Sequence, residues 1–188
     1  MRRTLFVLAG ILGLSAMAEA QPYVSAGVGL TVVSVPASGD IGTPLSGGED
    51  LGAAGQFTVG AGVFVVPRFA LGVEFVIPGD VSFQQRASRT IVTETARDVI
   101  IAGIARYKVV NALEVVFGAS VVSQHFDLNG DSPGFYTGGA VVGLDCPATI
   151  NKHVAILGSL RLQLISRSFA STYGSVLFQP SVVLRFSR

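Results

Sequence analysis

The chain has no tryptophan and one cysteine, and only 13% of its residues are charged. A lone Cys146 cannot form an internal disulfide, and no Cys/His cluster has metal-ligand spacing, so neither bridges nor a bound metal are expected to hold the fold. So few charges, with a mean hydropathy of +0.59, are too apolar for an ordinary soluble domain. Beyond the first twenty residues, however, no apolar run reaches the roughly 20 residues of a membrane-spanning helix. The strong helix formers Lys, Glu and Met are sparse, whereas 23 glycines are spread through the apolar segments, a mix that favours strands.

The N-terminus sets the compartment. Arg2 and Arg3 precede a largely apolar stretch from Thr4 to Met17, and Ala18-Glu19-Ala20 supplies a small-x-small cleavage site. Residues 1–20 are read as a signal peptide and 21–188 as one exported domain; an uncleaved anchor is the alternative. Removal takes away two arginines and Glu19, so thirteen basic residues become eleven and twelve acidic residues become eleven. A formally neutral domain offers no broad field for nucleic acid.

What the sequence does have is alternation, eight times between Tyr23 and Phe186. One face carries large apolar residues and the other is mostly Gly, Ser, Thr, Ala and isolated charges. Val24, Ala26, Val28, Leu30 and Val32 oppose Tyr23, Ser25, Gly27, Gly29 and Thr31; Leu71, Val73, Phe75 and Ile77 oppose Ala70, Gly72, Glu74 and Val76. The same holds around Phe57–Val65, Leu113–Val121, Tyr136–Leu144, Val154–Leu164 and Val176–Phe186. Around Val99–Tyr107 the apolar contrast is weak, and Asp98 and Arg106 decide the phase. A β-sandwich or a ligand-carrying soluble barrel would also alternate, but its apolar face would be the inner one. A face of small residues packs badly as a dry core, yet it fits the narrow lumen of an eight-stranded barrel with lipid outside. With the phases inverted, Arg106 and Arg161 would face lipid, at roughly 2–4 kcal/mol for each arginine near the midplane.

Connection lengths alternate too. Short links at Val66–Phe69, Lys108–Asn111 and Pro147–Lys152 separate longer ones at 34–50, 78–94, 126–134 and 166–174, as short periplasmic turns and long exterior loops would. The expected fold is thus all-β, an eight-stranded antiparallel up-and-down transmembrane β-barrel. Signal peptide, eight alternating segments, alternating loop lengths and an aromatic two places from the C-terminus resemble the small outer-membrane β-barrel proteins, the group that includes the OmpA transmembrane domain, OmpX and the opacity proteins. The resemblance implies outer-membrane localisation, contact with the lipid bilayer and lipopolysaccharide, a monomer, and insertion by the barrel-assembly machinery. In that group the final aromatic contributes to the assembly signal, and here the nearest is Phe186. With tryptophan absent, an interfacial aromatic belt falls to Tyr107, Phe117, Tyr136, Phe178 and Phe186.

The candidate site is a lumenal network of Glu74, Asp98, Arg106, Glu114, Asp145, His153, Arg161 and Arg185. If the turn at Lys108–Asn111 pairs Tyr107 with Leu113, Arg106 falls opposite Glu114; the turn at Pro147–Lys152 brings Asp145 towards His153 in the same way. Such a network would plug the barrel, leaving the exterior loops to bind an extracellular ligand; a narrow porin-like channel for small solutes is the alternative. No cofactor motif is present: Gly27-x-Gly29 and Gly60-x-Gly62 lack the following helix of a phosphate loop. Ser123 and His125, on the outward face, resemble the Ser/His pair of outer-membrane lipid A deacylases in reversed order, without the longer motif or an orienting acid, which makes an enzyme the least favoured reading.

Overall fold

A computed structural model describes residues 20–36, 49–87, 90–127, 134–165 and 176–188. The expected signal peptide therefore lies almost wholly outside the described residues. Nine strands follow one another: β1 (Gln21–Pro36), β2 (Glu49–Val66), β3 (Phe69–Pro78), β4 (Val81–Ala87), β5 (Thr90–Val110), β6 (Leu113–Asp127), β7 (Gly134–Asn151), β8 (Val154–Ile165) and β9 (Val176–Ser187). All neighbours are antiparallel, and the sheet closes because β9 pairs back onto β1 and β3 pairs with β5.

The barrel has eight positions rather than nine. Both β3 and β4 pair with β5, through Val76↔Ile100 and then Val81↔Ala96, so they are one strand offset by a single residue at Gly79–Asp80. The Gly79 amide still donates to the Gly55 carbonyl at 2.6 Å, which keeps the joint attached to β2. This corrects the expectation of a loop over 78–94: Val81–Ala87 and the start of β5 form a paired hairpin. The 21 residues of β5, at about 3.3 Å each along a tilted strand, outreach the roughly 25 Å apolar band of a membrane barrel, so this hairpin projects beyond it. Strand extension trims the connections at 34–50 and 126–134, whereas that at 166–174 is not shortened; residues 37–48, 128–133 and 166–175 lie outside the described residues.

At the opposite end the turns are tighter than the sequence suggested. The strands run on to leave only Pro67–Arg68, Asn111–Ala112 and Lys152–His153. Each incoming strand carries a register shift just before its turn, at Phe64/Val66, Lys108/Val110 and Thr149/Asn151. An extra residue there adds local twist and lets the chain reverse in two residues. The Asn151 side chain fixes the last of these turns, its oxygen accepting from the His153 and Val154 amides at 2.8 and 3.0 Å.

Among the described residues, face assignment follows the alternation in all eight expected segments. Val28, Phe57, Ile101, Val121 and Val182 are among the large apolar side chains exposed on the outside, while Glu74, Asp98, Arg106, Glu114, Asp145, Arg161 and Arg185 are buried inside. The low-contrast fourth segment is phased as its charges required. Pro180 points to the outer face of β9; the ladder to β8 continues through Leu160↔Pro180, but that to β1 runs from Tyr23↔Ser187 to Gly29↔Ser181 and resumes only at Val32↔Phe178. A residue with no amide donor accounts for the lapse.

Candidate functional site

The lumen is filled in layers. Nearest the short turns, the Tyr23 and Phe64 rings meet at 5.4 Å, tilted by 55°. Tyr23 lies where it does because β2 and β3 present Gly62 and Gly72 beneath it; a Cβ on either would come within 2.5 Å of the phenol oxygen. Arg185 stacks over Phe64 at 5.3 Å and donates through both terminal nitrogens to the two Glu114 oxygens, at 2.7 and 2.8 Å.

Above this pair stands a ring of four charges drawn from four strands. Arg106 of β5 donates to Glu74 of β3 and to Asp145 of β7, with its guanidinium 5.6 Å from the Tyr23 ring. Arg161 of β8 donates to the same two carboxylates, at 2.7 and 3.1 Å to Asp145 and 3.2 Å to Glu74, and Ser159 adds a hydroxyl to Asp145 at 2.7 Å. Two cations and two anions, all buried, thus neutralise one another and share most of their donors and acceptors, Arg106 Nε alone in the ring having no partner. Such saturation is what makes buried charge tolerable. The space enclosed beside the ring, bounded by Ser25, Leu157 and Val183 among others, is too small for a water molecule.

A neutral polar layer follows, in which Thr31 donates to Gln56 at 2.6 Å, Gln179 to Thr31 at 3.3 Å, and Gln163 to Ser120. At the long-loop end the character changes. Val33, Ala54, Val76, Val81, Ala96, Ile100, Val122, Ile165 and Leu177 form one buried apolar cluster across the lumen. The sequence reading, which stressed the small and charged residues of the inner face, missed this layer; the inward phase of Val33, Val76, Ile100, Val122 and Leu177 was its signal.

Of the eight expected network residues, Glu74, Arg106, Asp145 and Arg161 form the ring, and Glu114 and Arg185 the pair. Two expected contacts are not made. Arg106 lies opposite Val116, and Glu114 opposite Lys108, because the strands continue past the anticipated turn and the shift at Lys108/Val110 moves the register. Asp145 lies opposite Ser159, while His153 is exposed on the turn itself, its Nδ1 3.2 Å from the Ser187 carbonyl oxygen. Asp98 is buried apart from the ring, opposite Gln124 near the apolar layer.

On the outside, Tyr107 and Phe186 lie near the short turns, Phe178 and Tyr136 towards the long loops, and Phe117 two residues beyond the partner of Tyr107. Phe57 and Phe75, outside the expected belt, are exposed on the same face. Ser123 and His125 sit on the outer face, paired with Val99 and Arg97 on one side and with Tyr136 and Gly134 on the other. Past Ile77 and Val99, towards the long loops, Arg97 makes a two-point contact with Asp80 at 2.6 and 2.8 Å, and this bond holds the exposed Asp80 carboxyl below its usual value.

An eight-stranded antiparallel barrel with an apolar outside and a polar, ion-paired lumen is a transmembrane β-barrel of the outer-membrane class. Solved structures of that class share its fold. Neisserial surface protein A is 15% identical, with 88% of this chain and 96% of that one covered and a TM-score of 0.52. Ail, the attachment invasion locus protein of Yersinia pestis, is 12% identical over 89% of this chain and 99% of its own, with a TM-score of 0.52. The N-terminal β-barrel domain of Pseudomonas aeruginosa OprF is 11% identical over 89% and 97%, at 0.51. At such identities the likeness is one of fold. No protein-family model and no curated protein sequence matches the chain.

Proposed function

We propose that the chain is a non-enzymatic integral protein of the outer membrane whose barrel is closed to solutes and whose work is done by what it displays outside, through the segments around 34–50, 78–94, 126–134 and 166–174. The observation that carries this reading is the ring of Glu74, Arg106, Asp145 and Arg161, which joins four strands across the lumen, with the gap beside it at Ser25, Leu157 and Val183 too small for a water molecule. A lumen blocked by mutually satisfied charges and again by an apolar layer has no continuous polar path. Function then falls to the exterior, where long connections on a rigid scaffold are free to vary. The shared fold of Ail, named for attachment and invasion, is in keeping with a surface role for an extracellular ligand.

Lipopolysaccharide is the natural neighbour of the outer face at its long-loop end, and the barrel-assembly machinery would insert the chain by way of the strand ending near Phe186. Planar-bilayer recording tests the closed lumen. The purified barrel should give no steady conductance, whereas large, stable openings from the unmodified protein would favour the narrow-channel alternative.

A further inference from the structure

The short-turn mouth of the barrel holds a cavity of about 470 Å³ whose wall includes Lys108, Lys152 and Arg185 and no carboxylate. Arg185 is already neutralised, because both its terminal nitrogens are spent on Glu114. Lys108 stands opposite Glu114 in the ladder, yet both Glu114 oxygens are turned to Arg185. Among the described residues no ion pair joins Lys108 or Lys152 to an acid. The Arg68 carbonyl accepts from the Lys108 amide at 2.8 Å, which ties the end of β5 to the β2–β3 turn. The rest of the wall is partly apolar, with Phe64, Val66 and Pro67.

Uncompensated cations around a cavity raise the local concentration of anions, and separate lysine ammonium groups suit a ligand whose charge is spread over several oxygens. The cavity opens at the short-turn end of the barrel, and its apolar wall suits the body of a ligand whose anionic end meets the lysines. We propose that this mouth is a phosphate site, held by Lys108 and Lys152, for a phosphate carried on a lipid headgroup of the adjoining leaflet or free in the periplasm. The site is separate from the ion-paired ring and does not depend on whether the lumen conducts.

Calorimetric titration of the full barrel with pyrophosphate, in a phosphate-free maltoside detergent at low ionic strength, reads the free anion. Native mass spectrometry of the barrel released from phosphatidylglycerol nanodiscs reads the headgroup. The wild type should show saturable binding in at least one measurement. Lys108→Gln and Lys152→Gln should each weaken it by about fivefold, and the double substitution should remove it. Arg97→Gln, on the outer face at the other end, should leave it unchanged. Lys152 is exposed at a turn tip, so Lys152→Gln tests the site even if Lys108→Gln folds poorly. Pyrophosphate binding alone assigns the site to free phosphate, and lipid adducts lost in the double variant assign it to the headgroup. Wild type and double variant behaving alike in both measurements would overturn the proposal.

Discussion

The two ends of the lumen are closed by opposite means. Towards the short turns the filling is chiefly ionic: four charges in a ring, with a fifth and sixth paired beneath and Ala102, Ile104, Val116 and Val141 packed alongside. Towards the long loops it is chiefly a layer of Val, Ile, Ala and Leu, with the buried Asp98 and Gln124 set among them. Both faces are inward, and both belong to the same strands, so the difference lies in what each filling demands. The ionic end tolerates little change, because removing one member strands a buried charge among the others. The apolar end depends on shape and volume, and its neighbours relax partly around a loss. A barrel stoppered in both ways keeps its seal when either end is disturbed alone.

The comparison can be broken most sharply at the ring. Arg106→Ala leaves Glu74 and Asp145 with only Arg161 between them and should cost about 3–5 kcal/mol in urea unfolding from lipid vesicles. Conductance should stay absent, because the apolar layer still stands. A loss below about 1 kcal/mol would mean that the ring is wet and screened. Next comes the other end: Leu177→Ala empties a fully buried position and should cost about 2–3 kcal/mol, again without opening the lumen. Joined with Arg106→Ala, it should produce measurable ion leak in planar bilayers; a tight double variant would show that one more barrier is at work.

The smallest effect is expected outside, at the exposed Asp80–Arg97 pair. Asp80→Asn should lower stability only slightly at neutral pH. The folded Asp80 carboxyl sits below its usual value, so its contribution is present above the ordinary carboxylate range and fades as pH falls through that lowered value. Wild type and Asp80→Asn should therefore converge in acid. A gap that persisted there would assign the effect to packing at the β3–β4 joint.

How far the sequence alone could reach is clear from these same places. Phase was legible, even in the weak segment before Tyr107, because burying Asp98 and Arg106 in lipid is costly enough to choose between two registers. Partners were not. Arg106 is expected against Glu114, and Asp145 near His153, but β5 and β7 both run on past the anticipated turns, and a one-residue bulge near the end of each adjusts the register further. Bulges add a residue without a distinctive residue type, so no spacing rule reveals them. The ring also joins Glu74 to Arg161, 87 residues away, a contact made by barrel closure rather than by any hairpin. The run from Val81 to Ala87 reads as part of a long connection because it follows Pro78, Gly79 and Asp80 and carries no repeated apolar alternation, although pairing with β5 satisfies its backbone whatever its side chains.

Pro180 bears on the order in which the barrel comes together. Seven of the eight joins in the wall link chain neighbours, counting β3 and β4 as one strand, and each can form as soon as its hairpin exists. The eighth brings Tyr23 to Ser187 across nearly the whole domain. Closing so long a loop costs the most chain entropy, so this seam is the last to zip. Pro180, which interrupts the β1–β9 ladder, weakens that late step and leaves the earlier hairpins untouched. An unclosed sheet with two free edges would persist longer as a result, giving an insertion partner more time to hold the seam open before the cylinder locks.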